Sequence, residues 1–232
     1  PSNVTFASAA TMPTVFVTVD AALHRAACIT KADKVLVHAA TGGVGLAAVQ
    51  TIKAAGAEVV ATCRRTSEAL MALKPKEVIE DVDVTDAASC ERMAKAVGGT
   101  LDIVVNNAGI TIVGSVEQMS EVQWDTEMDI NVKSIYLMSK AVWAHMKDRK
   151  GGVILNTASI AAFEGQIGQV AYTAAKAGIA GMCLTMARDL GSLGIRVNAI
   201  APSLFATGIT KGIPDEFADA LTKDAAFPKR LG

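Results

Sequence analysis

Lys34-Val-Leu-Val-His-Ala-Ala-Thr-Gly-Gly-Val-Gly45 is the stretch whose reading decides the fold. Lys34 to His38 has the apolar, β-branched character of a buried strand. Thr41, Gly42, Gly43, Val44 and Gly45 then form a turn that opens a helix reaching about Ala55. Strand, glycine-rich turn and helix N-terminus together make a phosphate site. The glycines let the backbone approach a pyrophosphate, and the helix dipole favours an anion. The turn is not a clean GxGxxG, and a tight strand-to-helix turn in any α/β protein looks similar.

Outward from this unit the same rhythm repeats. Strands are expected at Ala57–Thr62, Glu77–Asp83, Leu101–Asn107, Gly152–Thr157 and Ile195–Ala201. Helices are expected from the N-cap Asp86 to Val97, from Ser120 to Met146, and from Gly168 to Leu190. Strands alternating with helices of this length predict an α/β, Rossmann-like, doubly wound parallel sheet flanked by helices. Residues 1–33 stand outside the rhythm and read as a helical or irregular N-terminal extension to a single dinucleotide-binding domain over 34–232. No strand signal follows Ala201.

Composition narrows the function classes. Of 232 residues, 51% are hydrophobic and 19% charged, which excludes a disordered chain. Net charge is −1, so no electrostatic footprint for nucleic acid is expected. No run of about 18 apolar residues is found, so no membrane span is expected. Cys28, Cys63, Cys90 and Cys183 lie far apart without a CxxC pair. They read as free thiols in a reducing, cytoplasmic compartment rather than as a zinc site.

Three constellations carry chemistry. First, Cys63-Arg64-Arg65 ends strand two, where a carboxylate would bond the ribose hydroxyls of NAD. Two guanidinium groups there suit the 2′-phosphate of NADP. NADP(H) is therefore the preferred cofactor, NAD(H) a possible one, and a solvated arginine pair the plain alternative. Second, Tyr172 and Lys176 stand at i and i+4 on one helix face. An ammonium beside a phenol favours the phenolate, so Tyr172 is expected to titrate below its ordinary value and act as acid and base. Ser159, just after strand five, offers a hydroxyl to a substrate carbonyl. Third, Asn131 lies inside a helix, a poor place for Asn unless it has a task.

These pieces resemble the short-chain dehydrogenase/reductases over residues 77–232. The residues that carry the resemblance are Asp83-Val84, Asn106-Asn107-Ala108-Gly109, Asn131, Ser159, Tyr172 with Lys176, and the turn from Pro202 to Thr207. Asn156 to Gln169 resembles the type-2 3-hydroxyacyl-CoA dehydrogenase branch in particular. The resemblance implies hydride transfer between NADP(H) and a ketone or secondary alcohol, with a carbonyl or acyl-thioester substrate. It implies that Tyr172 moves a proton at the substrate oxygen and that Lys176 holds the nicotinamide ribose. Ser159 orients the oxygen, and Asn131 supports a water relay. Asp83 and Val84 would meet the adenine, Asn107, Ala108 and Gly109 the adenosine ribose, and Pro202, Phe205 and Thr207 the nicotinamide end. A homodimer or homotetramer and a seventh strand are also implied. The family's early Thr and Gly are His38 and Ala39 here. Residues 1–63 resemble instead the Rossmann entry of medium-chain quinone and enoyl reductases. That leaves an enoyl or quinone reductase, or a silent NADPH-binding module, as alternative readings.

Overall fold

The computed structural model describes residues 15–147 and 151–203. Helix precedes the first strand from residue 15 and ends in a π-helical stretch, α1 (Ala21–Ala27). The elements that follow are β1 (Lys34–Val37), α2 (Gly43–Ala54), β2 (Glu58–Thr62), α3 (Glu68–Ala72), β3 (Glu77–Ile79) and α4 (Ala87–Val97). After these come β4 (Ile103–Asn106), α5 (Glu121–Met128), a π-turn (Asp129–Lys133) and α6 (Ser134–Val142). β5 (Gly152–Thr157), α7 (Ala161–Glu164), α8 (Val170–Gly191) and β6 (Ile195–Ile200) complete the described chain. The six strands form one parallel sheet in the order β3-β2-β1-β4-β5-β6. This is the doubly wound order, whose strand sequence reverses between β1 and β4 and opens a crevice at their carboxyl ends.

The strand alternation explains the two layers. Val35, Val37, Ile103, Val105, Val153 and Leu155 point to one face and pack with α1 and α2. Leu36, Val104 and Ile154, from the intervening positions, point to the other and pack with α4, α6 and α8. A parallel sheet covered on both faces needs such continuous apolar runs. α1 joins the first layer through Ala22, Leu23 and Ala27. Arg196 of β6 ties it down by donating to the carbonyls of Ala26 and Ala27, at 2.5 and 3.1 Å.

Local signals set several boundaries. Asp86 caps α4 by accepting from the Ala88 and Ser89 amides. Ser120 and Gln123 form a reciprocal capping box at the start of α5. The third strand is shorter than the expected Glu77–Asp83: only Glu77–Ile79 pairs with β2, and Asp81 turns the chain at φ 55°. The sequence reading had no α3, which Ser67 caps through the Leu70 amide. It also ran one helix through residues 129–133, where the structure has a π-turn. Among the described residues α8 is long and apolar enough to cross a membrane by length and composition alone, a test that a core helix also passes. Here it packs along α7 and β6 and carries the Tyr172–Lys176 pair.

All four cysteines are free. Among the described residues, no group of three or more His, Cys, Asp and Glu side chains is poised to hold a metal.

His38 is buried at the end of β1, its Nδ1 2.9 Å from the Thr62 hydroxyl. Burial pushes its pKa down from 6.5 to about 3. Below about pH 6.5 the unfolded chain therefore takes up a proton that the folded chain refuses, and stability falls as pH drops toward about 3. Thermal melts at about pH 7 and about pH 5 should show wild type losing more Tm than His38→Gln. Equal losses would place the acid sensitivity elsewhere.

Candidate active site

The phosphate turn keeps its geometry without the family's early glycine. Ala39 takes φ 50°, a left-handed conformation that glycine adopts freely and alanine adopts at a cost. Neighbouring strand ends hold the turn in place. The Ala40 amide donates to Thr62 O at 3.0 Å, and Asn107 Nδ2 donates to Ala39 O at 3.3 Å. Gly42 is the N-cap of α2 and offers no side chain to the first amides of the helix. A Cβ on Gly45 would lie 2.5 Å from Ala39 O and 2.8 Å from Ala40 Cα, so the helix start is pressed directly onto the turn. Open helix amides above a close-packed glycine turn fit the pyrophosphate of a dinucleotide.

Arg64 and Arg65 are exposed beyond β2. Arg64 Nη2 lies 3.8 Å from Asp83 Oδ2 across a solvated gap. The other Asp83 oxygen accepts from the amide and hydroxyl of Thr85 at 2.9 and 2.7 Å. The Thr85 hydroxyl bond, more than Arg64, holds the Asp83 carboxyl below its ordinary range. Val84 is half-buried beside Asp83. Thr41, Gly43, Val44, Ala108, Gly109 and Pro202 are likewise half-buried along the carboxyl ends of the strands. Phe205 and Thr207 lie outside the described residues.

Beneath the crevice a buried polar network fixes the strand ends. Asn106 Nδ2 donates to Asn156 Oδ1 at 2.8 Å and to the Ser139 hydroxyl at 3.3 Å. Asn156 Nδ2 in turn lies 3.2 Å from Cys183 Sγ. β4, β5, α6 and α8 are joined by this chain, so Asn106 is a scaffold residue while Asn107 holds the phosphate turn.

Tyr172, Lys176, Ser159 and Asn131 converge at the ends of β4 and β5. Lys176 is buried, and its Nζ donates to Thr157 O at 2.8 Å. That ammonium lies 5.5 Å from the centre of the Tyr172 ring. The Ser159 hydroxyl, which accepts from the Ala161 amide at 3.2 Å, is near enough to Tyr172 to pull its pKa down. Asn131 Nδ2 donates to Ile110 O and to Glu127 O, both at 2.9 Å. These bonds give the mid-helix Asn its reason: it sits in the π-turn, a widened turn of the kind that often marks functional sites. Its Oδ1 stays buried without a partner. A Cβ on Gly109 would lie 2.8 Å from that Oδ1 and 3.3 Å from Lys176 Nζ. Asn131 and Lys176 therefore both press against Gly109, with no room for a side chain there.

The electrostatics overturn one expectation. Tyr172 titrates above its ordinary value, not below it. Burial is the main cause, the Glu127 charge adds to it, and the Ser159 hydroxyl opposes both. Burial also pushes Lys176 down to about 8. Glu127 is the residue that sequence reasoning missed. It is fully buried, and its pKa is pushed up to about 7, again by burial. The available signal was its place one helical turn before Asn131, on the same face.

Comparison with known proteins follows the same outline. Residues 33–217 match the short chain dehydrogenase family. The human 3-hydroxyacyl-CoA dehydrogenase type-2 is 36% identical over 231 residues, covering 89% of this chain and 87% of the relative. The 3-oxoacyl-(acyl-carrier-protein) reductase FabG of Vibrio harveyi is 36% identical over 189 residues, covering 78% and 77%. A crystal structure described as a short-chain alcohol dehydrogenase, from Sinorhizobium meliloti, superposes with a TM-score of 0.78 at 33% identity, covering 88% and 84%. The family match begins before β1 and includes the phosphate turn. The expected medium-chain enoyl-reductase origin of residues 1–63 therefore finds no support. Strand order, glycine turn and the clustered Ser, Tyr, Lys and Asn agree with that match, and the chain belongs to the short-chain dehydrogenase family of NAD(P)-dependent oxidoreductases.

Proposed function

We propose that this chain reduces a ketone to a secondary alcohol with NADPH, and that its substrate is a 3-oxoacyl thioester. The observation that carries the reading is the convergence of Tyr172, Ser159 and Lys176 around one point above β5, with Lys176 Nζ anchored on Thr157 O. The substrate class rests on the relatives, which are named for 3-hydroxyacyl-CoA and 3-oxoacyl chemistry.

When bound, the nicotinamide supplies or accepts the hydride. The Ser159 hydroxyl donates to the carbonyl oxygen and orients it. The Tyr172 hydroxyl gives its proton to that oxygen as the alcohol forms. Because Tyr172 titrates above its ordinary value, it is neutral near pH 7 and therefore a competent donor. Lys176, held by Thr157 O, favours the phenolate that remains, and Asn131 Oδ1 is left free to accept a hydrogen bond. Asn107 and Gly45 keep the phosphate turn in register, and the amides of Gly43 and Val44 would hold the pyrophosphate. Asp83 and Val84 would meet the adenine, Asn107, Ala108 and Gly109 the ribose, and Pro202 the nicotinamide end. Phe205 and Thr207, outside the described residues, would belong with Pro202.

NADPH preference follows from Arg64 and Arg65. A charge-assisted hydrogen bond is worth about 1.5–3 kcal/mol. The double variant Arg64→Ala, Arg65→Ala should therefore raise the KM for NADPH about 10- to 100-fold and leave that for NADH little changed. Initial rates with both cofactors and acetoacetyl-CoA test the assignment. An unchanged NADPH KM would return the pair to the solvated surface.

A further inference from the structure

A buried carboxyl stands in this site with no part in the chemistry above. Glu127 is 0% exposed in α5, at the first helical turn before Asn131. Its Oε1 accepts from the Ile112 amide at 3.3 Å, and its Oε2 is buried without a partner. Asn131 donates to the backbone carbonyl of Glu127, so the turn that carries the carboxyl is locked to a residue that shares the Gly109 contact with Lys176 Nζ. A lone carboxylate in such a place is unfavourable unless it takes a proton or answers a cation.

We propose that Glu127 is a positioning residue whose carboxyl is the buried counter-charge of Lys176 and sets the proton affinity of Tyr172. This rests on the reading of Tyr172 as the proton donor. α5 packs against the π-turn and α8. On the π-turn, Asp129 and Lys133 answer each other at 3.2 Å, on side chains about half exposed. On α8, the groups that feel the Glu127 charge are Lys176 and Tyr172. The segment before α5 contributes only the Ile112 amide. Burial displaces both groups toward neutrality, and each charge favours the charged form of the other.

The signs are definite. An ionised Glu127 raises both Lys176 and Tyr172, and a neutral side chain at 127 lowers both. Glu127→Gln keeps the shape and removes the charge. It should move the pH midpoint of kcat/KM down by about one unit, with the KM for NADPH unchanged. Glu127→Asp keeps the charge and should hold the wild-type midpoint more closely.

The deciding experiment reads the carboxyl directly, without turnover. The full chain, labelled with carbon-13 at the glutamate side-chain carboxyl, is titrated by NMR as wild type, Glu127→Gln and Lys176→Met. One resonance should titrate well above the ordinary glutamate range, vanish in Glu127→Gln, and titrate higher still in Lys176→Met. The last shift follows because the ammonium that favours the carboxylate is gone. If Glu127→Gln does not fold, the resonance that moves in Lys176→Met identifies the carboxyl. No displaced resonance, or one unmoved in Lys176→Met, overturns the proposal. Tyr172→Phe run beside these variants separates the two readings. Loss of activity in Tyr172→Phe with an unmoved Glu127→Gln profile overturns the role of Glu127 alone. Retained activity in Tyr172→Phe overturns the donor assignment, and the NMR titration still decides the Glu127–Lys176 pair.

Discussion

Tyr172→Phe should lower kcat for acetoacetyl-CoA reduction by about 10²–10⁴-fold, the range that a positioned general acid supplies. The substitution removes one hydroxyl and keeps the ring. The stacking of that ring 5.5 Å from Lys176 Nζ, and the Lys176 bond to Thr157 O, remain available. NADPH affinity and Tm should therefore stay close to wild type. That separates lost proton transfer from lost binding, because a defect in the chemical step lowers kcat and kcat/KM together while leaving cofactor binding intact. The measurement is steady-state NADPH oxidation, with cofactor binding followed separately by fluorescence. Activity within about tenfold of wild type would mean that another group supplies the proton, since one general acid is worth far more.

Gly45→Ala should be the most disruptive single methyl in the phosphate unit. Its Cβ would meet backbone atoms at 2.5, 2.8 and 3.0 Å, and backbone cannot swing aside as a side chain can. Overpacking of this kind costs about 1–3 kcal/mol. In a domain of this size that is a fall of about 2–4 °C in Tm for each kcal/mol. The alternative to unfolding is a displaced Ala39–Ala40 turn, which would pull the helix amides off the pyrophosphate and weaken NADPH binding. Gly42→Ala is the control. Its Cβ would sit 3.6 Å from Ala39 O, an ordinary contact, at a φ of −77° that alanine adopts readily. Its Tm should stay within the range of a plain surface substitution, about 0.5 kcal/mol. If both variants melt together, the close approach at Gly45 does not matter to the fold.

Elements with a local cause were readable from the chain. Asp86 caps α4 where expected, and β5 has its expected limits of Gly152 and Thr157. The alternation of Val153, Ile154 and Leu155 between two layers is itself a period-two pattern. Elements with a remote cause were not readable. β3 stops at Ile79, short of its expected end at Asp83, because the chain turns at Asp81 and the Val82 amide bonds back to Cys63 O. The π-turn at residues 129–133 goes with the reach of Asn131 to Ile110 O, a partner 21 residues away in the chain.

The same division runs through the site. By itself the sequence determined which residues come together: Ser159, Tyr172 and Lys176 as a motif, Asn131 as an oddity in a helix, Gly42 to Gly45 as a turn. Side-chain type and spacing carry that much, since they depend on helical and strand periods alone. Only the tertiary structure decided their protonation. Lys176 beside Tyr172 reads, in sequence, as a charge that lowers a phenol. Burial raises the phenol and lowers the lysine, and the Glu127 charge raises both. Glu127 reads as one more helix-surface acid until packing against α8 removes it from water. Desolvation arises from the sum of all surrounding atoms, and no short stretch of sequence contains that sum.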